Sequence, residues 1–153
     1  MEPISVNYNG YTITTDKSLM NVRDIHKWLS EQSYWSPNIP LDVVSRAFEH
    51  SYCIAALYNG PQIAYARLVT DYATFAYLAD VYVREEHRGL GISKKMMELI
   101  FGLEWVKGLR RIMLATKGAQ GLYRKYEFTE CKFPERIMEL TRPEIYSPLS
   151  PEG

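Results

Sequence analysis

The sequence predicts an α/β (α+β) fold in which a mixed, mostly antiparallel central sheet is flanked by about four helices. Two strand-like runs over 52–58 and 63–71 are joined by the turn sequence NGPQ. Asn and Gly tolerate the positive φ of a tight turn, so the two strands should be antiparallel. A third strand over 75–83 leads through a glycine-containing loop into a helical pattern. Strands that alternate with helices in this order predict a mixed sheet covered by helices.

The spacing of apolar residues predicts the other elements. After a strand over 11–15, a helix follows a cap at Ser18 and ends near Ser30, and Pro40 opens a second helix. The stretch EQSYWSPNIP between these helices is an aromatic, proline-containing loop that could line a pocket. The later predictions are a long helix over 92–103, a strand over 112–115, a short helix over 119–126, and strands near 128–131 and 137–141.

The composition favours one domain over residues 1–153, with a loosely held tail from about 144. A chain of 153 residues with 46% hydrophobic content can form one core of ordinary size. Eighteen basic and eighteen acidic residues cancel, so no global field favours nucleic acid as a partner. No apolar run reaches the length of a membrane span and no signal-peptide pattern is found. These observations predict a cytoplasmic protein without a membrane partner.

The cysteines and histidines do not indicate a metal site. Cys53 and Cys131 match no CxxC spacing and stand in strand-like contexts, so both are expected to be buried thiols. The three histidines, His26, His50 and His87, have no metal-ligand spacing. We therefore expect no metal cofactor.

The junction VYVREEHRGLGISKKMMELI, residues 81–100, has the pattern of a phosphate-binding turn. A strand that passes through a glycine loop into a helix presents unpaired N–H groups at the positive helix end. Gly89 and Gly91 would allow close approach of a ligand, and Arg88 could add a charge-assisted contact. The spacing fits neither the P-loop nor the dinucleotide-binding pattern. An ordinary strand-to-helix turn without a ligand remains the alternative.

The stretches AYLADVYV, RGLGIS and GLYRKYEF together resemble the GNAT acetyltransferase superfamily over residues 11–141. The pyrophosphate loop of that family reads Gln/Arg-x-x-Gly-x-Gly/Ala, and this chain departs from it at Ser93, which stands where the family has a small residue. The resemblance implies acetyl-CoA as the acetyl donor, bound at the loop and along the preceding strand. The cofactor-binding residues that it implies are Val81, Tyr82, Val83, Arg88, Gly89, Leu90, Gly91, Ile92, Ser93 and Gln120.

The same resemblance implies a catalytic tyrosine. Tyr123 stands where the family has the tyrosine before a Lys-x-Gly-Phe segment, and in that position it would protonate the departing CoA thiolate. Glu127 replaces the usual glycine of the segment, so the following turn should be made differently. A core tyrosine is the alternative, because Tyr123 shares a helical face with apolar residues.

Asp80 is the candidate general base. It is a carboxylate inside an otherwise apolar strand, just before the implied cofactor-binding residues, and partial burial would raise its pKa toward the useful range. The alternatives are that Asp80 holds a neighbouring loop by a hydrogen bond or faces solvent. Asp71, at the end of the preceding strand, is the second candidate base.

The acceptor would lie against the first two helices and their connecting loop, where the resemblance implies contacts from Tyr34, Trp35, Phe75 and Tyr77. Aromatic walls suit an apolar or cationic acceptor, here a small-molecule or peptide primary amine, although Trp35 could equally be a packing residue. The expected activity is N-acetyl transfer. A non-catalytic acyl-CoA sensor and a nucleotide-binding domain are the alternatives, and the oligomeric state is left open, a homodimer included.

Overall fold

The computed structural model describes residues 1–147, which form one six-stranded sheet with helices on both faces. The strands lie side by side in chain order, and every neighbouring pair is antiparallel except the last, β5 and β6, which is parallel. The bounds are β1 Ser5–Tyr8, β2 Tyr11–Thr14, β3 Tyr52–Tyr58, β4 Gln62–Thr70, β5 Phe75–Val83 and β6 Arg111–Leu114. The predicted fold class, a mixed and mostly antiparallel sheet, is confirmed.

Five α-helices lie within residues 1–147. They are α1 Val22–Gln32, α2 Leu41–Glu49, α3 Ile92–Gly102, α4 Glu104–Lys107 and α5 Gln120–Arg124. The predicted cap at Ser18 is wrong, because the side chain of Asn21 accepts the Asp24 N–H at the start of α1. The long predicted helix ends at Gly102, since Leu103 takes an extended conformation before α4 begins.

The core has one layer on each face of the sheet. On β4, Ala64, Ala66 and Leu68 face α3, whereas Tyr65 lies on the opposite face with Ile25 and Leu29 of α1. This two-residue alternation follows from the pleat of a strand. The alternation of side chains along β4 and β5 therefore determines which of them point toward the loop between α1 and α2.

An irregularity in β5 positions the candidate site. Tyr65 pairs with Tyr82 and Arg67 pairs with Ala79, so Ala66 opposes both Asp80 and Val81, and Asp80 has a φ of 54°. This is a β-bulge, which bends its strand and increases the local twist. The pairing of β5 with β6 ends at Leu78, one residue before the bulge region. Beyond that point the two chains separate and leave a gap at the edge of β5.

Both ends of the chain differ from the sequence prediction. The structure adds β1, joined to β2 through Asn9 and Gly10, which both have positive φ as in a tight hairpin turn. The strands predicted near 128–131 and 137–141 are wrong, because the chain turns at Glu127, with a φ of 71°, and then runs exposed without a paired strand. The tail expected from about 144 lies largely in residues 148–153, outside the described residues.

The cysteine prediction is half right. Both thiols are free, but only Cys53 is buried, whereas Cys131 is exposed because no strand forms around it. Within residues 1–147, no helix has the length and apolar content needed to cross a membrane. The same residues contain no cluster of three or more His, Cys, Asp or Glu side chains arranged to hold a metal ion.

Candidate active site

A cleft of about 770 Å³ occupies the gap between the second half of β5 and the chain that follows β6. It brings together most of the residues that the sequence singled out, from four separate parts of the chain. Those in its lining are Tyr34, Trp35, Tyr77, Asp80, Val81, Tyr82, Val83, Arg88, Ser93 and Tyr123. Residues 89–92 and Phe75 are outside the lining, and Gln120 lines a second cleft on the other side of Tyr123.

The glycine loop presents a row of free backbone donors at the start of α3. Gly89 and Gly91 have φ of 78° and 80°, and among residues 1–147 the N–H groups of 89–94 make no hydrogen bond. The first intrahelical bond runs from the Lys95 N–H to the Gly91 carbonyl. Unpaired N–H groups at a helix N-terminus favour an anionic ligand, so the loop fits a pyrophosphate.

Tyr8 of β1 holds this loop in place, and no local sequence pattern indicated it. Its hydroxyl donates a hydrogen bond of 3.2 Å to the Leu90 carbonyl. A Cβ at Gly91 would lie 2.8 Å from that hydroxyl oxygen, which is too close for two non-bonded atoms. Gly91 is therefore required by the close approach of Tyr8 as well as by its backbone conformation.

Arg88 ties the loop to the end of β5. Its Nε donates to the Val83 carbonyl over 2.9 Å. The Val83 carbonyl therefore faces the gap rather than β4. This contact fixes the position of the guanidinium at the edge of the cleft, where its other N–H groups are available to an anion.

Asp80 is at the centre of a hydrogen-bonded network that joins the bulge to the loop between α1 and α2. One carboxylate oxygen accepts the Arg67 Nε–H over 2.6 Å, and the other accepts the Trp35 indole N–H over 2.8 Å. Burial would lower the pKa of Arg67, but the Asp80 carboxylate more than offsets it, so that pKa is raised. With both oxygens engaged, the geometry favours a positioning role for Asp80 over that of a general base.

Asp71, the second candidate base, stabilises the turn between β4 and β5. Its carboxylate accepts the N–H groups of Ala73, Thr74 and Phe75 and the Thr74 hydroxyl. The bonds from Thr74, followed by those from the neighbouring N–H groups, hold the pKa of the Asp71 carboxyl well below its usual range. The residue lies at the opposite end of β5 from the bulge and is outside the cleft lining.

Aromatic side chains form the wall of the cleft opposite the glycine loop. Trp28 stacks on Tyr82 with ring centroids 4.1 Å apart, and Trp35 lies 5.7 Å from Trp28 and 5.0 Å from Tyr34. Burial raises the pKa of Tyr82 to about 12, so its hydroxyl stays neutral. The Lys117 ammonium lies over the Tyr34 ring, 5.1 Å from its centroid. This wall is apolar with a polar rim.

Tyr123 lies between the two clefts and is 6% exposed. Its ring packs edge-on against Phe128, with centroids 5.9 Å apart, and its hydroxyl makes no hydrogen bond among the described residues. Burial, with a smaller contribution from the Tyr34 phenol, raises the pKa of Tyr123. The phenol therefore stays protonated at neutral pH, as a proton donor must.

Two contributors to the cleft were missed by the sequence analysis. Trp28 lies within the first predicted helix, and its stacking on Tyr82 depends on a long-range contact that no local pattern indicates. The sequence did contain a signal for Arg67. It is the only charged residue of β4, and Asp80 is the only charged residue of β5. A lone cation and a lone carboxylate on neighbouring antiparallel strands indicate an ion pair.

The Asp80 network leads to a first prediction. We expect Asp80→Asn to lower stability by about 2 kcal/mol, because the Arg67 guanidinium, 19% exposed, would lose its counter-ion. For a chain of this size that corresponds to a melting temperature about 4–8 °C lower. Differential scanning calorimetry of the wild type and the variant measures this difference in melting temperature.

Asp42→Asn is the matched control, since Asp42 pairs with Arg46 in an exposed i,i+4 bridge. It should leave the melting temperature unchanged. If Asp80→Asn instead leaves stability intact and lowers turnover by about 10²-fold or more, Asp80 is a general base and the positioning role is wrong.

The comparisons with known proteins agree with this geometry. A sequence profile described as the acetyltransferase (GNAT) family matches residues 22–128. A Gibberella zeae protein provisionally named an acetyltransferase is 32% identical over 145 residues, covering 81% of each chain. The fold and the family match define the class as acetyltransferase. The chain belongs to the GNAT acetyltransferase family.

Solved structures are similar over nearly the full length. The crystal structure of a provisionally assigned GNAT acetyltransferase from Xanthomonas campestris is 45% identical, with a TM-score of 0.88 over 92% of this chain and 99% of that one. Glucosamine-6-phosphate N-acetyltransferase from Arabidopsis thaliana is 14% identical, with a TM-score of 0.59 over 86% of this chain and 99% of that one. The second likeness concerns the fold alone.

Proposed function

We propose that this protein transfers an acetyl group from acetyl-CoA to a primary amine of a small-molecule or peptide acceptor, with both substrates bound at once. The observation that carries the proposal is the cleft, in which a gap beside β5 and a neutral tyrosine lie next to Arg88 and Ser93 of the loop that bears the free N–H groups. Family membership supports acetyl transfer in general. The donor, the acceptor class and the roles of the residues are our proposal.

The backbone would hold the donor at two places. The N–H groups of residues 89–94 would bind the pyrophosphate, with Arg88 and the Ser93 hydroxyl beside them. The edge of β5 at Val81–Val83, which has no partner strand beyond Leu78, would pair with the pantetheine arm. When bound, acetyl-CoA supplies an activated thioester whose carbonyl carbon an amine can attack.

Tyr123 would act as the general acid. Its phenol is protonated at neutral pH and has no hydrogen-bond partner among residues 1–147 that would compete for its proton. Transfer of that proton to the leaving sulfur removes the cost of expelling a thiolate. The proton that the attacking nitrogen loses passes to solvent water, and the Tyr123 phenolate regains a proton from solvent after the product thiol has left.

The aromatic wall would receive the acceptor. Trp35 and Tyr34 are partly exposed at the cleft mouth, and Tyr77 faces the same space from β5. Aromatic faces attract apolar and cationic groups, which suits an amine on an organic scaffold. Asp80 would orient Trp35 by accepting a hydrogen bond from the indole N–H. Phe75 and Gln120 lie outside this cleft, so we give them no part in the proposed mechanism.

Calorimetric titration with acetyl-CoA, CoA, ATP and NAD tests the donor. We expect acetyl-CoA and CoA to bind and the two nucleotides to bind at least about tenfold more weakly, because the N–H row adjoins a strand edge rather than a nucleoside pocket. Thiol release with a panel of amines then measures transfer. Binding of neither CoA species would contradict the proposal.

A non-catalytic acyl-CoA sensor is the second candidate. The engagement of both Asp80 oxygens favours it, since no other carboxylate of residues 1–147 lines the cleft to take the proton of the amine. Tight acetyl-CoA binding without thiol release across a broad amine panel between pH 7 and 9 would support the sensor. Thiol release that depends on the amine would exclude it.

A further inference from the structure

The first cleft, between β5 and the chain after β6, contains a charge without a counter-ion. Its charged lining residues are Arg67, Asp80, Arg88 and Lys117. Arg67 and Asp80 form an ion pair over 2.6 Å, and Arg88 lies beside the loop that we propose as the pyrophosphate site. Lys117 forms no salt bridge within residues 1–147. The cleft therefore offers an unpaired cation and no unpaired carboxylate from the part of the chain that the structure describes.

Lys117 lies at the aromatic end of the cleft, in the bend between β6 and α5. The side chain of Thr116 accepts the Ala119 N–H over 3.1 Å, and this contact fixes the bend. The Lys117 ammonium lies 5.1 Å from the centroid of the Tyr34 ring. The Tyr34 phenol is close enough to Tyr123 to contribute to the raised pKa of that residue. A ligand that contacts Tyr34 beside Tyr123 is therefore within reach of the ammonium.

The loop that carries the aromatic wall is held in place before any ligand binds. Tyr34 and Trp35 stand between two buried serines, Ser33 and Ser36. The Ser33 hydroxyl donates to the Leu29 carbonyl over 2.6 Å and accepts the Ser36 N–H over 3.1 Å. This arrangement fixes the loop to the end of α1, so the aromatic rings lose little freedom when a ligand contacts them.

Neutral polar groups with free donors surround the same end of the cleft. The phenols of Tyr34 and Tyr77 and the side-chain amide of Gln32 line the cleft and make no hydrogen bond within residues 1–147. Phenol O–H and amide N–H groups donate hydrogen bonds to a carboxylate, as an ammonium does. Aromatic faces with an ammonium and several free donors at their rim are suited to an aromatic ligand that carries an anionic group.

We propose that the acceptor is a primary amine on an aromatic scaffold that also carries a carboxylate, and that Lys117 binds this carboxylate. The inference rests on the proposed function, because it names the acceptor class of that reaction. A polyamine is disfavoured, since Lys117 would repel a second cation and already occupies the Tyr34 ring, which could otherwise attract one. The unpaired charge thus narrows the acceptor class that the aromatic walls alone leave open.

Thiol release with pairs of acceptors tests the proposal. Each pair is an aromatic amino acid or 4-(aminomethyl)benzoate and the corresponding carboxamide, and spermidine is the cationic comparison. The wild type should prefer the acid of at least one pair. Lys117→Gln should lower the acid-to-amide ratio of kcat/KM by about tenfold, because a charge-assisted hydrogen bond is lost. The comparison of ratios cancels the intrinsic difference in reactivity between the two amines, which is the same in both proteins.

Lys27→Gln is the matched control, since Lys27 is an exposed lysine of α1 outside both clefts. It should leave the acid-to-amide ratio within about twofold of the wild-type value. A wild type that prefers the amides or spermidine, or an acid preference that Lys117→Gln leaves unchanged, would overturn the proposal. So would a loss of acetyl-CoA affinity in Lys117→Gln with the acid preference retained, because the lysine would then belong to the donor site.

Binding of the acetylated products separates this inference from the proposed reaction. In the presence of CoA, calorimetric titration should show that the N-acetyl form of the preferred acid binds about tenfold more tightly than its carboxamide. Lys117→Gln should abolish that difference. Charge-selective binding of any N-acetyl acid without thiol release would support the anionic ligand and contradict acetyl transfer. Thiol release without an acid preference would leave the proposed function standing, whereas it would contradict the role of Lys117, as would a failure of every N-acetyl acid to bind.

Discussion

Replacing Tyr123 by phenylalanine is expected to lower the turnover number for acetyl transfer by about 10²-fold while the dissociation constant of acetyl-CoA stays within about threefold of the wild-type value. The substitution removes only the hydroxyl that would protonate the leaving sulfur. The ring, which packs against Phe128, is kept, so the local packing should survive. Steady-state thiol release and calorimetric titration measure the two quantities separately.

Tyr126→Phe is the matched control for this experiment. Tyr126 follows the same short helix, and its hydroxyl donates to the Lys94 carbonyl over 2.9 Å outside the first cleft. Removal of the Tyr126 hydroxyl should lower stability slightly, as expected for the loss of one hydrogen bond, and leave the turnover number within about twofold of the wild-type value. Equal turnover in Tyr123→Phe and the wild type would remove Tyr123 from the acid role. A joint loss of turnover and cofactor binding would indicate a structural tyrosine.

The second large effect is expected at the glycine loop, from a comparison of Gly89→Asp with Gly89→Asn. Gly89 has a φ of 78°, and a Cβ there would meet no atom within 4 Å. Asp and Asn both tolerate the left-handed conformation and have nearly the same shape, so they differ mainly by one negative charge. Near a bound pyrophosphate, that charge should weaken acetyl-CoA binding by at least about tenfold relative to the Asn variant.

The Gly89→Asn variant is the control for backbone strain and bulk. Its melting temperature should match that of Gly89→Asp, because the exposed side chains contact nothing that would distinguish them. The difference in affinity should also shrink in high salt, since the interaction is electrostatic. Equal affinities for acetyl-CoA in the two variants would show that the pyrophosphate is not bound at this loop.

The sequence predicted the parts of the fold that depend on local patterns. Strands β3 and β4 and their turn were correct because Asn59 and Gly60 adopt the positive φ that their residue types favour. The first hairpin has the same signal at Asn9 and Gly10, but it was overlooked. The two C-terminal strands failed for a different reason, because a strand pattern does not reveal whether a partner edge exists within the same chain.

In the candidate site, too, local patterns predicted the short motifs but not the contacts between distant parts of the chain. The glycine loop, the edge of β5 and Tyr123 were assigned through short motifs, and they adjoin one cleft in the structure. The engagement of Asp80 could not be read from its own strand, because it depends on Arg67 of β4 and Trp35 of a distant loop. The position of Asp80 in its strand suggested a general base, whereas its two hydrogen-bond partners favour a positioning role.

The contact between Tyr8 and Leu90 has a consequence for the N-terminus. The two residues are 82 positions apart, and their hydrogen bond joins β1, at one edge of the sheet, to the glycine loop that we propose as the pyrophosphate site. Fraying of β1 would release that turn, so ligand affinity and the anchoring of the first eight residues are thermodynamically linked. An anion bound at the loop would therefore also stabilise the pairing of β1 with the rest of the sheet.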